Sequence, residues 1–176
     1  KGKNKSYDVF YRPKNKLDAL SFLSRYESEK ITIGLNVEGS NEERRISDRD
    51  VRNIILGLYS MTNNIAIILF HKPNDSEYVA QLIPIEASKY TFLSYPTLSV
   101  LDLAALVDNL DVIISPDTSI VHMACAFNKP LVAIYRNNAT NFDIWHPISD
   151  LNYVVFSQRS DSLKDIDVDE IINKSS

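Results

Sequence analysis

Short, uncharged apolar runs separated by helix-length stretches recur along this chain, and that alternation restricts its fold more than any single motif does. Ile31–Asn36 (ITIGLN), residues 64–70 (NIAIILF), residues 112–114 (VII) and Leu131–Tyr135 (LVAIY) are rich in β-branched residues. Strands that are apolar throughout, without a polar face, are buried on both sides, as in a parallel sheet covered by helices. Weaker strands are expected at residues 90–93 and 153–156.

The intervening stretches carry helix signals. A first helix is expected over residues 14–27. Ser47 and Asp50 form an N-cap and capping-box pair ahead of the stripe Val51, Ile54, Ile55 and Leu58, with Ile46 and Val51 placed as a hydrophobic staple. Residues 76–82 form another helix, and Thr97 caps the next, whose stripe is Leu103, Leu106, Val107 and Leu110. Residues 119–127 follow, with Ile120, Met123, Ala124 and Phe127 inward and Pro130 as the stop, and a terminal helix starts at Val168. Strands alternating with helices imply right-handed crossovers and a sheet with helices on both faces. The expected class is α/β, a Rossmann-like domain over residues 31–176 preceded by a linker and helix at residues 1–30.

Composition narrows what such a domain does. The 176 residues are 44% hydrophobic, enough for one buried core, and the net charge of −4 gives none of the basic footprint that nucleic acid requires of a partner. One cysteine, Cys125, excludes an internal disulfide and fits a reducing compartment. No apolar run reaches the roughly 20 residues of a membrane helix, and residues 1–6 lack an export-type apolar stretch, so a cytoplasmic location is expected. His71, His122 and His146 are too scattered for a metal site by spacing. No G-x-G-x-x-G turn follows the first strand, which argues against a dinucleotide oxidoreductase.

The loops at the carboxyl ends of the strands are where such sheets bind ligands. In residues 113–122 (IISPDTSIVH) a buried strand stops at Pro116 and turns directly into a helix. The first N–H groups of a helix have no internal partner and carry about half a positive charge, so they suit a phosphate. Thr118 and Ser119 add small hydroxyl groups, and His122 projects one turn further along, off the inward stripe. The same residues also read as an ordinary N-cap at Asp117 or Thr118 followed by a half-buried surface histidine.

Residues 101–135 resemble the donor-site signature of glycosyltransferase family 9, the ADP-heptose lipopolysaccharide heptosyltransferases. Asp117 and Thr118 match its acidic and hydroxyl residues, His122 its histidine and Pro130 its proline. Ser119 stands where the family usually has glycine, and Arg136 where a glycine commonly follows the next strand. After the first strand, Gly39 and Ser40 match a small-residue turn, and Arg44, with Arg45 behind it, matches the family's basic residue; an exposed arginine pair balancing Glu42 and Glu43 is the other reading. Residues 141–147 (NFDIWHP) resemble the family's late tryptophan segment, in which Trp145 either walls the donor pocket or anchors a loop. His71 and Lys72 border the same rim.

The resemblance implies the C-terminal half of a GT-B glycosyltransferase that binds a nucleotide-sugar donor, ADP-heptose or similar, through Asp117, Thr118, Ser119, Ile120, His122, Arg44, Arg45, Gly39 and Ser40. It implies an inverting reaction without metal or cofactor, and no catalytic residue in this chain, since the base belongs to an N-terminal acceptor domain lying outside it. The implied partners are that domain and a glycolipid acceptor at the membrane surface, which places the protein in the bacterial cytoplasm, peripheral to the inner membrane. Two other readings share the architecture: a remodelled interaction module, favoured by Ser119 and Arg136, and a nucleotide-sugar epimerase, whose own motifs are not evident.

Overall fold

The computed structural model describes residues 8–26, 30–39 and 41–175. Six strands, β1 (Ile31–Asn36), β2 (Ile65–Phe70), β3 (Thr91–Leu93), β4 (Val112–Pro116), β5 (Leu131–Tyr135) and β6 (Asn152–Phe156), form one sheet in the order β3-β2-β1-β4-β5-β6. Every neighbouring pair is parallel. The helices are α1 (Pro13–Leu23), α2 (Asp48–Met61), α3 (Ser76–Ala80), α4 (Val100–Asn109), α5 (Ser119–Ala126), α6 (Ala139–Trp145) and α7 (Val168–Lys174). This is the Rossmann-like α/β arrangement expected from the alternation.

Successive strand residues point to opposite faces, and both faces are apolar. Ile33, Leu35, Ile67, Leu69, Ile114, Val132 and Ile134 join one core, shared with Val51, Ile54, Ile55 and Leu58 of α2 and Ile171 of α7. Ile68, Phe70, Ile113, Leu131, Ala133 and Tyr135 join the other, shared with α1, α4 and α5. Burying each large aliphatic side chain contributes about 1.5–3 kcal/mol, against about 1 kcal/mol or less for an exposed ion pair, so these two cores carry the fold. Gly34 lies where a Cβ would come 2.8 Å from both Leu110 Cδ1 and Phe70 Cζ. A larger residue there would have to displace both of those side-chain tips.

Several local expectations are corrected. The first helix ends at Leu23, not at residue 27, which lies outside the described residues. The cap of α4 is Ser99, not Thr97: its hydroxyl accepts from Asp102 N–H while the Asp102 carboxylate accepts from Ser99 N–H, a complete capping box. At α2 the Ser47 hydroxyl accepts from Asp50 N–H as expected, and it donates to the Asp50 carboxylate at 2.6 Å. In α5, Val121 and Cys125 are buried along with Ile120, Met123 and Ala124, because the helix packs against α4 as well as against β4 and β5. That helix is stopped before Pro130 by Asn128, whose φ of 52° is left-handed. Lys129 N–H then bonds Ala124 O and Asn128 N–H bonds Cys125 O, which satisfies carbonyls at the helix end.

Candidate functional site

The strand order reverses between β1 and β4, so the loops after these two strands diverge to opposite sides and leave a crevice. Two polar residues at their ends join them. Asn36 Nδ2 donates to Ser115 Oγ at 3.1 Å and to Thr118 Oγ1 at 3.3 Å. Ser115 Oγ is spent on the Pro116 carbonyl at 2.8 Å, so Thr118 Oγ1, 3.1 Å away, donates to it. Thr118 is the N-cap of α5, accepting from Ile120 N–H at 3.3 Å. The Thr118 hydroxyl is therefore committed to the protein, and exposed Ser119 is the hydroxyl turned outward at the helix start.

On the α4 side of this start lies a cleft of about 630 Å³. Thr118, Ser119 and Ile120 line one wall, Asn36, Glu38 and Gly39 the floor from β1, and His71, Lys72 and Pro73 the end of β2. Leu98 and Val100, largely exposed, form an apolar rim at the head of α4. Lys72 Nζ lies 2.7 Å from Glu38 Oε2, and that carboxylate raises the lysine's pKa. The buried His71 ring is held between the carbonyls of Lys72 (2.8 Å) and Ser94 (3.0 Å), tying the ends of β2 and β3 together.

On the α6 side, different residues converge. Asp117, nearly buried, takes Arg44 Nη1 at 3.2 Å and Asn141 Nδ2 at 2.9 Å on the same oxygen, Oδ2. Arg44 Nη2 in turn donates to Asn141 Oδ1 at 3.3 Å. Arg44 Nε is buried with no acceptor among the described residues, so the guanidinium has hydrogen-bonding capacity to spare. His122 lies half-buried with its ring 5.8 Å from that of Trp145. Burial pushes the imidazole pKa below its ordinary value, and the Asp117 carboxylate opposes that shift.

Arg44 is carried by a 3-10 turn, Glu42–Arg44, capped by the Asn41 side chain. The preceding loop folds onto this turn so closely that a Cβ on Gly39 would lie 2.2 Å from the Arg44 carbonyl oxygen. Only glycine fits. Arg45 points elsewhere: it stacks 4.3 Å from the Tyr78 ring centre and pairs with Glu42 (3.7 Å) and Asp48 (3.4 Å), lining a separate cavity of about 680 Å³. Ser40 lies outside the described residues.

The structure thus gathers Asp117, Thr118, Ser119, Ile120, His122, Gly39 and Arg44 around the start of α5 and sets Arg45 apart. Arg136 does not fill the cradle; its Nη1 donates to Glu43 Oε2 (3.1 Å) and to the Asp161 carbonyl (3.2 Å). Asn36, Ser115, Glu38 and Asn141 were not singled out from sequence. Asn36 and Ser115 had a signal: each is a polar residue at the end of an otherwise apolar strand. Among the described residues, no group of three or more His, Cys, Asp or Glu side chains is placed to hold a metal ion, and no helix is long and apolar enough to cross a membrane.

A profile of glycosyltransferase family 9 (heptosyltransferase) matches residues 56–172. No curated protein matches the sequence. Among solved structures, the chain is similar to ADP-heptose lps heptosyltransferase II of E. coli, with a TM-score of 0.76 and 19% identity over 95% of this chain and 51% of that one. It is similar to a family 9 glycosyl transferase of Veillonella parvula, with a TM-score of 0.79 and 17% identity over 98% and 53%. E. coli heptosyltransferase WaaC with ADP gives a TM-score of 0.68 and 17% identity over 90% and 48%. The chain spans about half the length of these structures.

Proposed function

This chain belongs to glycosyltransferase family 9 (heptosyltransferase), and on that premise we propose that it is the donor-binding half of an inverting, metal-independent transferase that moves a heptose or related sugar from a nucleoside diphosphate to a lipopolysaccharide or other surface-glycan acceptor. Its sheet is the Rossmann-like unit of the GT-B glycosyltransferases. One observation carries the reading: the start of α5 stands between a cleft wide enough for a nucleoside and a polar cluster fit for a sugar, so that a diphosphate at the helix end would join the two.

The chemistry assigned to this half is electrostatic. As the sugar–oxygen bond breaks, negative charge grows on the departing diphosphate. The α5 N–H groups, the Ser119 hydroxyl, Arg44 and His122 would meet that charge, and interactions that strengthen as the bond breaks lower the barrier. Asp117, fixed by Arg44 and Asn141, would accept a hydrogen bond from a donor hydroxyl. Deprotonating the acceptor hydroxyl falls to a base on the N-terminal acceptor domain, and the acceptor is a glycolipid met at the cytoplasmic membrane surface. The alternative of a remodelled interaction module loses one of its two supports, because Arg136 is engaged with Glu43 and Asp161 rather than with the helix end.

Calorimetric titration of the folded chain with ADP, ADP-heptose and UDP-sugars tests the proposal. Binding of a nucleoside diphosphate, tighter with its sugar attached, is the expected result. A folded sample that binds none of them at millimolar concentration would sink it.

A further inference from the structure

Among the described residues, Asn141 hydrogen-bonds both Asp117 and Arg44, one through each end of its amide. The carboxylate can only accept, which orients Nδ2 toward Asp117, and the guanidinium can only donate, which orients Oδ1 toward Arg44. The helix that carries it is fixed at both ends. Asn138 Oδ1 accepts from Asn141 N–H at 3.2 Å, and the Tyr135 hydroxyl donates to the Trp145 carbonyl at 2.7 Å. Three elements therefore meet in a closed ring: the turn after β1, the β4–α5 junction and α6.

Arg44 and Asn141 share one oxygen of Asp117. An arriving diphosphate competes with that carboxylate for the guanidinium. If Arg44 were the only partner of Asp117, its transfer to the ligand would strand a nearly buried charge, which opposes the transfer. With Asn141 in place the carboxylate keeps a donor, and the Arg44 Nη2 bond to Asn141 Oδ1 keeps the guanidinium aligned while Nη1 turns to the ligand.

We propose that Asn141 is a positioning residue for the donor diphosphate: it holds Asp117 while Arg44 is shared with the ligand, and so sets how readily Arg44 engages phosphate. This rests on the nucleotide-sugar reading given above. It requires that Asn141 act through Arg44 and that charge, more than shape, decide the effect of substitution.

The experiment is calorimetric titration of ADP and adenosine into the chain and its N141A, N141D, R44A and N141A/R44A variants, each first shown by thermal unfolding to be folded. Asn141→Ala is expected to weaken ADP about tenfold, the loss of hydrogen bonds to charged groups, while adenosine changes by less than about twofold. In the Arg44→Ala background the same substitution should change ADP affinity by less than about twofold, the mark of coupled residues. Asn141→Asp, nearly the same shape, should be worse than alanine, because its carboxylate grips Arg44 and repels both Asp117 and the diphosphate. A purely structural role predicts the reverse order, with aspartate the milder change. Additive losses in the double variant, or aspartate milder than alanine, would overturn the proposal while leaving the donor-site reading intact. Failure of the unsubstituted chain to bind ADP would remove both.

Discussion

Arg44 and Arg45 are consecutive, yet they serve two regions built on different plans. Around Arg44 the partners come from far along the chain, Asp117 from the β4–α5 junction and Asn141 from α6, and one guanidinium nitrogen is left without an acceptor among the described residues. Around Arg45 the charged partners are local, Glu42 and Asp48 each three residues away, and Tyr78 covers the guanidinium face. The first arrangement is unsatisfied and converges from three elements. The second is balanced and mostly built from one stretch of chain. Groups brought together by topology are here left with a donor unpaired among the described residues, whereas the local pairing around Arg45 is complete within a few residues of chain.

That contrast can be broken or sharpened by experiment. The largest effect is expected at Arg44: Arg44→Ala should weaken ADP by about 10- to 100-fold, the range for lost hydrogen bonds between charged groups, in a calorimetric titration. A change of less than twofold would erase the distinction between the two arginines.

A smaller effect is expected at His122. In the free protein burial lowers the imidazole pKa from 6.5, and a bound phosphate raises it, so binding takes up protons and affinity rises as pH falls toward that value. Titrations near pH 6.5 in buffers of different ionisation enthalpy should show net proton uptake, which His122→Asn abolishes while weakening ADP about fivefold, the scale of a single hydrogen bond. Absence of proton uptake would detach His122 from the phosphate. The smallest effect belongs to Arg45. Arg45→Ala should leave ADP affinity within about twofold and lower unfolding stability by about 1 kcal/mol or less through the lost ring contact and partly exposed pairs. A tenfold loss of ADP affinity in that variant would reassign the second cavity to the donor.

The sheet was legible because its inner strands are apolar on both faces, the pattern expected of a parallel sheet covered by helices. The start of α5 was legible because Pro116, Thr118 and Ser119 combine a strand stop with helix-start residues. The α4 cap was misplaced at Thr97 although Ser99 and Asp102 already carried the capping-box spacing; two hydroxyl residues stood close together, and only one had the acidic partner three positions on. Asn141 was hidden for another reason. Nothing near it in the sequence refers to Asp117, 24 residues away, or to Arg44, 97 away, and the contacts exist only because β1, β4 and β5 are adjacent in the sheet. Arg45 was grouped with Arg44 because sequence gives proximity without direction, and the side chains of these consecutive residues diverge.

Because all six strands run in parallel, the chain emerges at one common edge each time it finishes a strand, and the packed interior lies behind that edge. Substitutions in the connecting segments there change the surface presented at that edge without asking the interior to repack. A substitution along that edge therefore costs the fold far less than one in either of the two cores behind it.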